Sequence, residues 1–150
     1  LKNNVPKVKV EKIIKADKDK VFFTITDFET LPSKLPQIFK SIKIISQKDN
    51  SIITEELVRM AGRDITQKVK HVLQPTDKHE VFILKGDAKG SHIVETYEET
   101  SEGTKIIVEG DFTLAGKLNL LGFLAKLKIE QSINKVMDEF AEILNENNQK

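Results

Sequence analysis

Polar and apolar residues alternate with a period of two near the start of the chain. Val8 and Val10 stand between Lys7, Lys9 and Glu11 and lead into Ile13 and Ile14, which predicts a half-buried strand. Asp17 then offers an N-cap, and Val21, Phe22, Ile25 and Phe28 follow at helical spacing, predicting a first helix over 18–28. Thr30 precedes Leu31-Pro32, a helix-start arrangement in which the missing proline N–H costs nothing, and Pro36 limits this second helix to a couple of turns. From Ser41 to Leu114 the pattern returns to period two. It is broken at Lys48-Asp49-Asn50, Ala61-Gly62, Pro75-Thr76-Asp77, Lys89-Gly90 and Ser101-Glu102-Gly103, so this stretch predicts six strands in an antiparallel meander. Leu114-Ala115-Gly116 ends it. From about Leu120 the residues Leu124, Ile129, Ile133, Val136, Met137, Phe140, Ile143 and Leu144 recur at three and four, predicting one long amphipathic helix that frays into a polar tail from Asn145.

One face of a seven-stranded sheet cannot stay bare, and the final helix is the only predicted element long enough to cover it. The expectation is an α+β fold in one domain spanning residues 1–150: a curved antiparallel sheet wrapped around a long C-terminal helix, with two short helices between strands one and two. Within that order, the run Val21-Phe22-Phe23-Thr24-Ile25-Thr26-Asp27-Phe28-Glu29-Thr30-Leu31-Pro32-Ser33-Lys34-Leu35-Pro36, leading into Ser41-Ile42-Lys43-Ile44, resembles the helix-pair signature of the START-like, Bet v 1-related superfamily (SRPBCC). Within that superfamily the likeness is to the polyketide cyclase/dehydrase and lipid transport branch, with a helix-grip fold. The resemblance implies a deep cavity between sheet and C-terminal helix. It also implies a mouth formed by Leu31, Leu35, Ile38 and Phe39 on one side and by Leu118, Leu120, Leu121, Phe123 and Leu124 on the other. The segment from Leu118 to Leu124 reads either as a cap on the core or as an apolar lip making transient membrane contact.

Charge narrows the partners. Lys and Arg number 24 against 23 Asp and Glu, and only Arg59 and Arg63 are arginines, so the fork chemistry of nucleic-acid readers is scarce and no nucleic-acid partner is expected. Residues 1–20 carry seven Lys against three acids, and residues 95–111 carry six acids against one Lys, which reads as two solvated strand faces or a docking surface for a charged partner. The chain has no cysteine, which excludes thiolate chemistry and is compatible with a reducing compartment, and a cytoplasmic location is expected. His71, His79 and His92 fall on different predicted strands without ligand spacing, so no metal and no cofactor are expected. Glycine-rich phosphate loops and nucleophile elbows are absent from the sequence. Glu55-Glu56 and Glu98-Glu99, adjacent in strands, read as solvated charge.

Candidate chemistry lies on the strand from Asp64 to Leu73, where Ile65, Gln67, Val69, His71 and Leu73 share one face. That face points inward, so Gln67 and His71 need hydrogen-bond partners or a ligand atom. The same parity groups Ile93, Glu95 and Tyr97, and pairs Leu57 with Arg59, which either forms a buried ion pair with Glu95 or holds a ligand carboxylate. Val81 to Leu84 is apolar on both faces and its register stays open. The candidate ligand-binding set is therefore Leu31, Leu35, Phe39, Leu57, Arg59, Gln67, Val69, His71, Tyr97, Phe112, Leu121, Leu124, Ile129 and Ile133. The expected function is binding or carriage of a hydrophobic small molecule such as a lipid, isoprenoid, quinone or polyketide-like compound. The alternatives are a cyclase- or dehydratase-type enzyme with His71 as its candidate acid–base, and a protein-interaction module. Oligomeric state does not follow from the sequence.

Overall fold

The computed structural model of the chain describes residues 3–115 and 122–148. The elements run β1 (Asn3–Asn4), β2 (Val8–Ile14), α1 (Lys18–Ile25), α2 (Leu31–Lys34), β3 (Phe39–Lys48), β4 (Ser51–Met60), β5 (Arg63–Gln74), β6 (Lys78–Lys85), β7 (His92–Thr100), β8 (Gly103–Asp111), β9 (Thr113–Leu114) and α3 (Gly122–Asn148). All five breaks fall where the sequence places them, and β3 to β8 form the antiparallel meander. The large sheet has the order β2-β8-β7-β6-β5-β4-β3, and β1 and β9 add a small two-stranded sheet. Because β2 and β3 lie at opposite edges, the α1–α2 segment between them has to cross the sheet's width. That crossing sets it over one end of the space between sheet and α3.

Turn chemistry fixes the register. Ala61 and Gly62 both take positive φ (51° and 78°) in the two-residue β4–β5 connection, the combination that matches strand twist. Bulges between Phe39 and Ser41 and between Ile44 and Ser46 interrupt the edge strand β3 and bend it. At the start of β8, Gly103 has φ 138°, and a Cβ there would stand 2.2 Å from the Ile14 carbonyl oxygen. Gly103→Ala is therefore expected to lower stability by about 1–3 kcal/mol, since both the backbone conformation and the β2–β8 contact resist a side chain. A urea midpoint unchanged from the parent would refute this. Gly110 serves packing instead: a Cβ there would come within 2.5 Å of the Phe112 ring.

The first helix ends at Ile25, short of the predicted Phe28: the Thr26 N–H still bonds the Phe22 carbonyl in the helical pattern, but the Phe28 N–H turns to the Thr26 carbonyl instead of continuing the ladder. Phe28 is freed to pack inward. Helix α3 buries Ala125, Ile129, Met137, Phe140 and Leu144 along one stripe, and it continues past Asn145 to Asn148. Leu124, expected on that stripe, is instead 65% exposed, beside Phe123 at 67%. The stripe runs through Ala125, one residue later, which rotates Leu124 outward. Leu118, Leu120 and Leu121 lie outside the described residues. Strand β2 of the basic stretch pairs with β8 of the acidic stretch, and Lys105 of β8 reaches Glu11 of β2 across them.

The interior is built in two clusters. One gathers Ile14, Phe22, Tyr97, Ile106, Phe140 and Leu144 around α1. The other gathers Val8, Val69, Ile83, Phe112, Ala125 and Ile129 near the start of α3. The space between them is the site.

Candidate functional site

A cavity of about 200 Å³ lies between the sheet and α3. Its apolar walls draw on both clusters, with Phe28 and Leu31 from the crossing segment, Val58 and Ile83 from the sheet, and Val136 and Phe140 from α3. Into this apolar space the sheet presents Glu56, Gln67, His71, His79 and Glu95. These side chains come from four consecutive strands, β4 to β7.

They form a continuous chain of contacts. Glu56 Oε2 lies 2.9 Å from His71 Nε2, His71 Nδ1 lies 2.9 Å from His79 Nε2, and His79 Nδ1 lies 2.8 Å from Glu95 Oε1. Both ends are anchored. The Thr54 hydroxyl donates to Glu56 Oε2 at 2.6 Å, and Gln67 hydrogen-bonds the same carboxylate. The Tyr97 hydroxyl donates to Glu95 Oε1 at 2.6 Å. Phe28 lies over His71 with ring centroids 4.1 Å apart and fixes the imidazole plane. Among the described residues, no buried side-chain nitrogen or oxygen lacks a partner, as a polar network in low dielectric requires.

Strand register explains the assembly. His79 stands directly opposite Glu95 on the β6–β7 ladder, and Glu56 directly opposite Gln67 on β4–β5. His71 and His79 flank the β5–β6 turn four residues to either side of Pro75, which gives them the same face.

Burial and hydrogen bonding compete at each titrating group. Burial pushes the Glu56 carboxyl upward, but the His71 hydrogen bond and charge, with Thr54 and Gln67, bring it below its ordinary value. Glu95 is likewise raised by burial and brought below its ordinary value by His79 and Tyr97. For His71 burial prevails over the Glu56 carboxylate and holds the imidazole below its usual range. Burial, reinforced by the Glu95 charge, pushes the Tyr97 phenol well above its usual value, so its proton stays on the bond to Glu95.

Of the sequence-derived candidates, Leu31, Phe39, Arg59, Gln67, His71, Phe112 and Ile133 line the cavity. Leu35, Val69, Tyr97 and Ile129 are buried beside it, packed into its walls. Leu57 and Arg59 correct the parity expected of β4: the buried positions are Ile52, Thr54, Glu56 and Val58. Arg59 therefore makes no buried pair with Glu95. It is half-exposed and binds Asp64 Oδ1 at 3.0 Å and the Gly62 carbonyl, at the rim of the site. The outward reading of Glu56 is corrected with it. Glu56 is buried, because His71 on the neighbouring strand supplies the partner that makes burial tolerable. His79, also unassigned from sequence, is the link that joins His71 to Glu95. Its symmetry with His71 about the Pro75 turn is the signal that could have found it. His92 sits on the opposite face, stacked on Phe82 and bonded to Glu80.

Among the described residues, no group of three or more His, Asp or Glu is arranged to hold a metal ion. Nor is any helix among them long and apolar enough to cross a membrane.

A sequence profile for the family described as polyketide cyclase / dehydrase and lipid transport matches residues 5–147. No curated protein matches the chain by sequence at a significant level. Solved structures do match by shape. A Thermus thermophilus protein aligns with TM-score 0.78 at 15% identity, covering 95% of this chain and 99% of that one. A START superfamily protein from Mycobacterium smegmatis gives 0.78 at 14% identity, covering 96% and 99%. The Zhui aromatase/cyclase of a Streptomyces species gives 0.76 at 14%, covering 95% and 94%. At these identities the likeness is one of fold.

Proposed function

Because the chain belongs to the polyketide cyclase/dehydrase and lipid transport family, we propose that it binds a hydrophobic small molecule in the cavity between sheet and α3. The observation that carries this reading is the cavity itself: an apolar chamber left open between two packed clusters, with its titratable groups on the sheet wall. Affinity arises mainly from area. A ligand hiding about 300 Å² of apolar surface gains on the order of 7 kcal/mol before binding costs. The polar wall contributes orientation more than affinity.

A cyclase- or dehydratase-type reaction in the same chamber is the second reading, favoured by the one observation that His71 and His79 sit between two carboxylates and face the ligand space. Such a chain places acid–base groups within reach of a bound ligand. Both readings require an occupied cavity.

Native mass spectrometry of the purified protein tests this, followed by organic extraction. The expected result is a stoichiometric apolar adduct that leaves on extraction. A clean apo mass, together with no thermal stabilisation by a panel of lipids, isoprenoids, quinones and aromatic polyketides, would refute ligand binding as the function.

A further inference from the structure

The polar wall decides which head group an apolar ligand can carry. Its three contacts, Glu56 to His71, His71 to His79 and His79 to Glu95, each accommodate one proton. Two neutral imidazoles bring two protons, and a third is the most the contacts can hold. Two carboxylates with two neutral imidazoles carry a charge of −2, and the third proton reduces this to −1. In both states the wall is negative.

Nothing facing it reverses the sign. From β4 the cavity sees Glu56 and the rim residue Arg59, whose guanidinium is already bound to Asp64. From β5 it sees Gln67 and His71, from β6 His79 and from β7 Glu95. The crossing segment contributes Ile25, Phe28 and Leu31, and α3 contributes Ser132 with Ile133, Val136, Met137 and Phe140, none of them charged. The chamber therefore offers acceptors and negative potential on its inner wall, and the one cation among its lining residues, Arg59, stands half-exposed at the rim, held by Asp64 and the Gly62 carbonyl. An anionic head would be desolvated beside like charge, whereas a neutral donor head would add a hydrogen bond to a carboxylate, whose oxygens each accept more than one.

We propose that Glu56, His71, His79 and Glu95 form a head-group site selecting apolar ligands that bear a neutral hydrogen-bond donor, such as a phenol or alcohol, and rejecting carboxylates. This rests on the ligand-binding reading above and deepens it.

The test uses matched probes. An apolar cavity of about 150 Å³ holds benzene, and this one, at about 200 Å³, is of a size for a bicyclic aromatic. Naphthalene, naphthol, methoxynaphthalene and naphthoic acid, the last three substituted at the same position, are titrated into the full chain near neutral pH by calorimetry. Naphthol is expected to bind about tenfold more tightly than methoxynaphthalene and by a larger factor than naphthoate. In Glu95→Gln, which removes one negative charge, the naphthoate deficit is expected to shrink; Glu56→Gln provides the same comparison should the first variant fold poorly. Naphthoate or methoxynaphthalene binding as tightly as naphthol would overturn the head-group assignment, while naphthalene binding would leave the cavity reading standing. If no probe binds, naphthalene included, the head-group assignment fails, and the cavity reading is decided by the adduct and panel measurements above.

Discussion

Replacing His71 with alanine is expected to cost about 3–5 kcal/mol of folding stability, because a packed, buried side chain and its hydrogen bond to the buried Glu56 carboxylate are lost together. The imidazole sits at the junction of the network, touching Glu56 through Nε2 and His79 through Nδ1. It is 5% exposed, so water cannot replace it without opening the core. Alanine leaves the Glu56 carboxylate with Thr54 and Gln67 but without its His71 hydrogen bond, and leaves His79 Nε2 facing a void. The packed face offered to Phe28 is lost as well. Part of the cost comes from the hydrogen bond lost to the Glu56 carboxylate, and that part is testable. Glu56→Gln combined with His71→Ala should cost less than the sum of the two single changes, with a coupling of about 0.5–3 kcal/mol. Urea unfolding of the four proteins measures it. A His71→Ala cost below about 1 kcal/mol, or strict additivity, would show that the chain of contacts does not act as a unit.

The same residues show why the sequence reveals the fold more readily than the site. Period-two alternation and five turn signals determine the meander because every strand has one face to bury and one to expose, and a wrong register would cost several apolar residues at once. The three- and four-residue spacing of Ile129, Ile133, Met137, Phe140 and Leu144 determines the covering helix for the same reason. Polar residues give no such vote. Glu56 follows Glu55, and hydropathy alone assigns both to solvent. What buries Glu56 is a partner fifteen residues away. The strand β4 has Ile52 beside Ile53 and Leu57 beside Val58, so its apolar residues are balanced between faces and do not settle the parity on which the inward expectation for Arg59 depends. Gln67 and His71 are assignable to the inner face because β5 alternates cleanly. His79 lies on β6, whose middle is apolar on both faces, and its place emerges only from pairing across the Pro75 turn. The site is legible where a strand's own pattern fixes its orientation, and illegible where a neighbour's side chain does.

Stability is expected to be greatest in a plateau between about pH 7 and pH 10 and to fall on both sides, for reasons that can be assigned group by group. His71 ordinarily titrates near 6.5 and is held lower in the fold by burial. Below that pH the unfolded chain takes up a proton that the folded chain refuses, so the contribution of His71 is present above 6.5 and is lost as the pH falls. Glu56 and Glu95 ordinarily titrate near 4.5 and are held below it, despite burial, by their histidine, threonine, glutamine and tyrosine partners. Their contribution is present above 4.5 and is lost as the pH falls through their folded values, so the acid limb should steepen below about pH 4.5. Tyr97 has the opposite sign. Its ordinary value is 10.0 and the fold raises it well above that, so above pH 10 the unfolded chain releases a proton that the folded chain retains, and stability falls as the pH rises. Thermal unfolding followed across the pH range measures the profile, and two variants assign its limbs. Tyr97→Phe removes the phenol without removing the ring that packs edge-on against Phe22, and should flatten the alkaline limb while leaving the acid limb in place. Glu56→Gln should flatten the acid limb below pH 4.5 and leave the alkaline one. An alkaline limb that persists unchanged in Tyr97→Phe would mean that the phenol is not what titrates, and that the bond from Tyr97 to Glu95 does not hold its proton against base as the buried geometry requires.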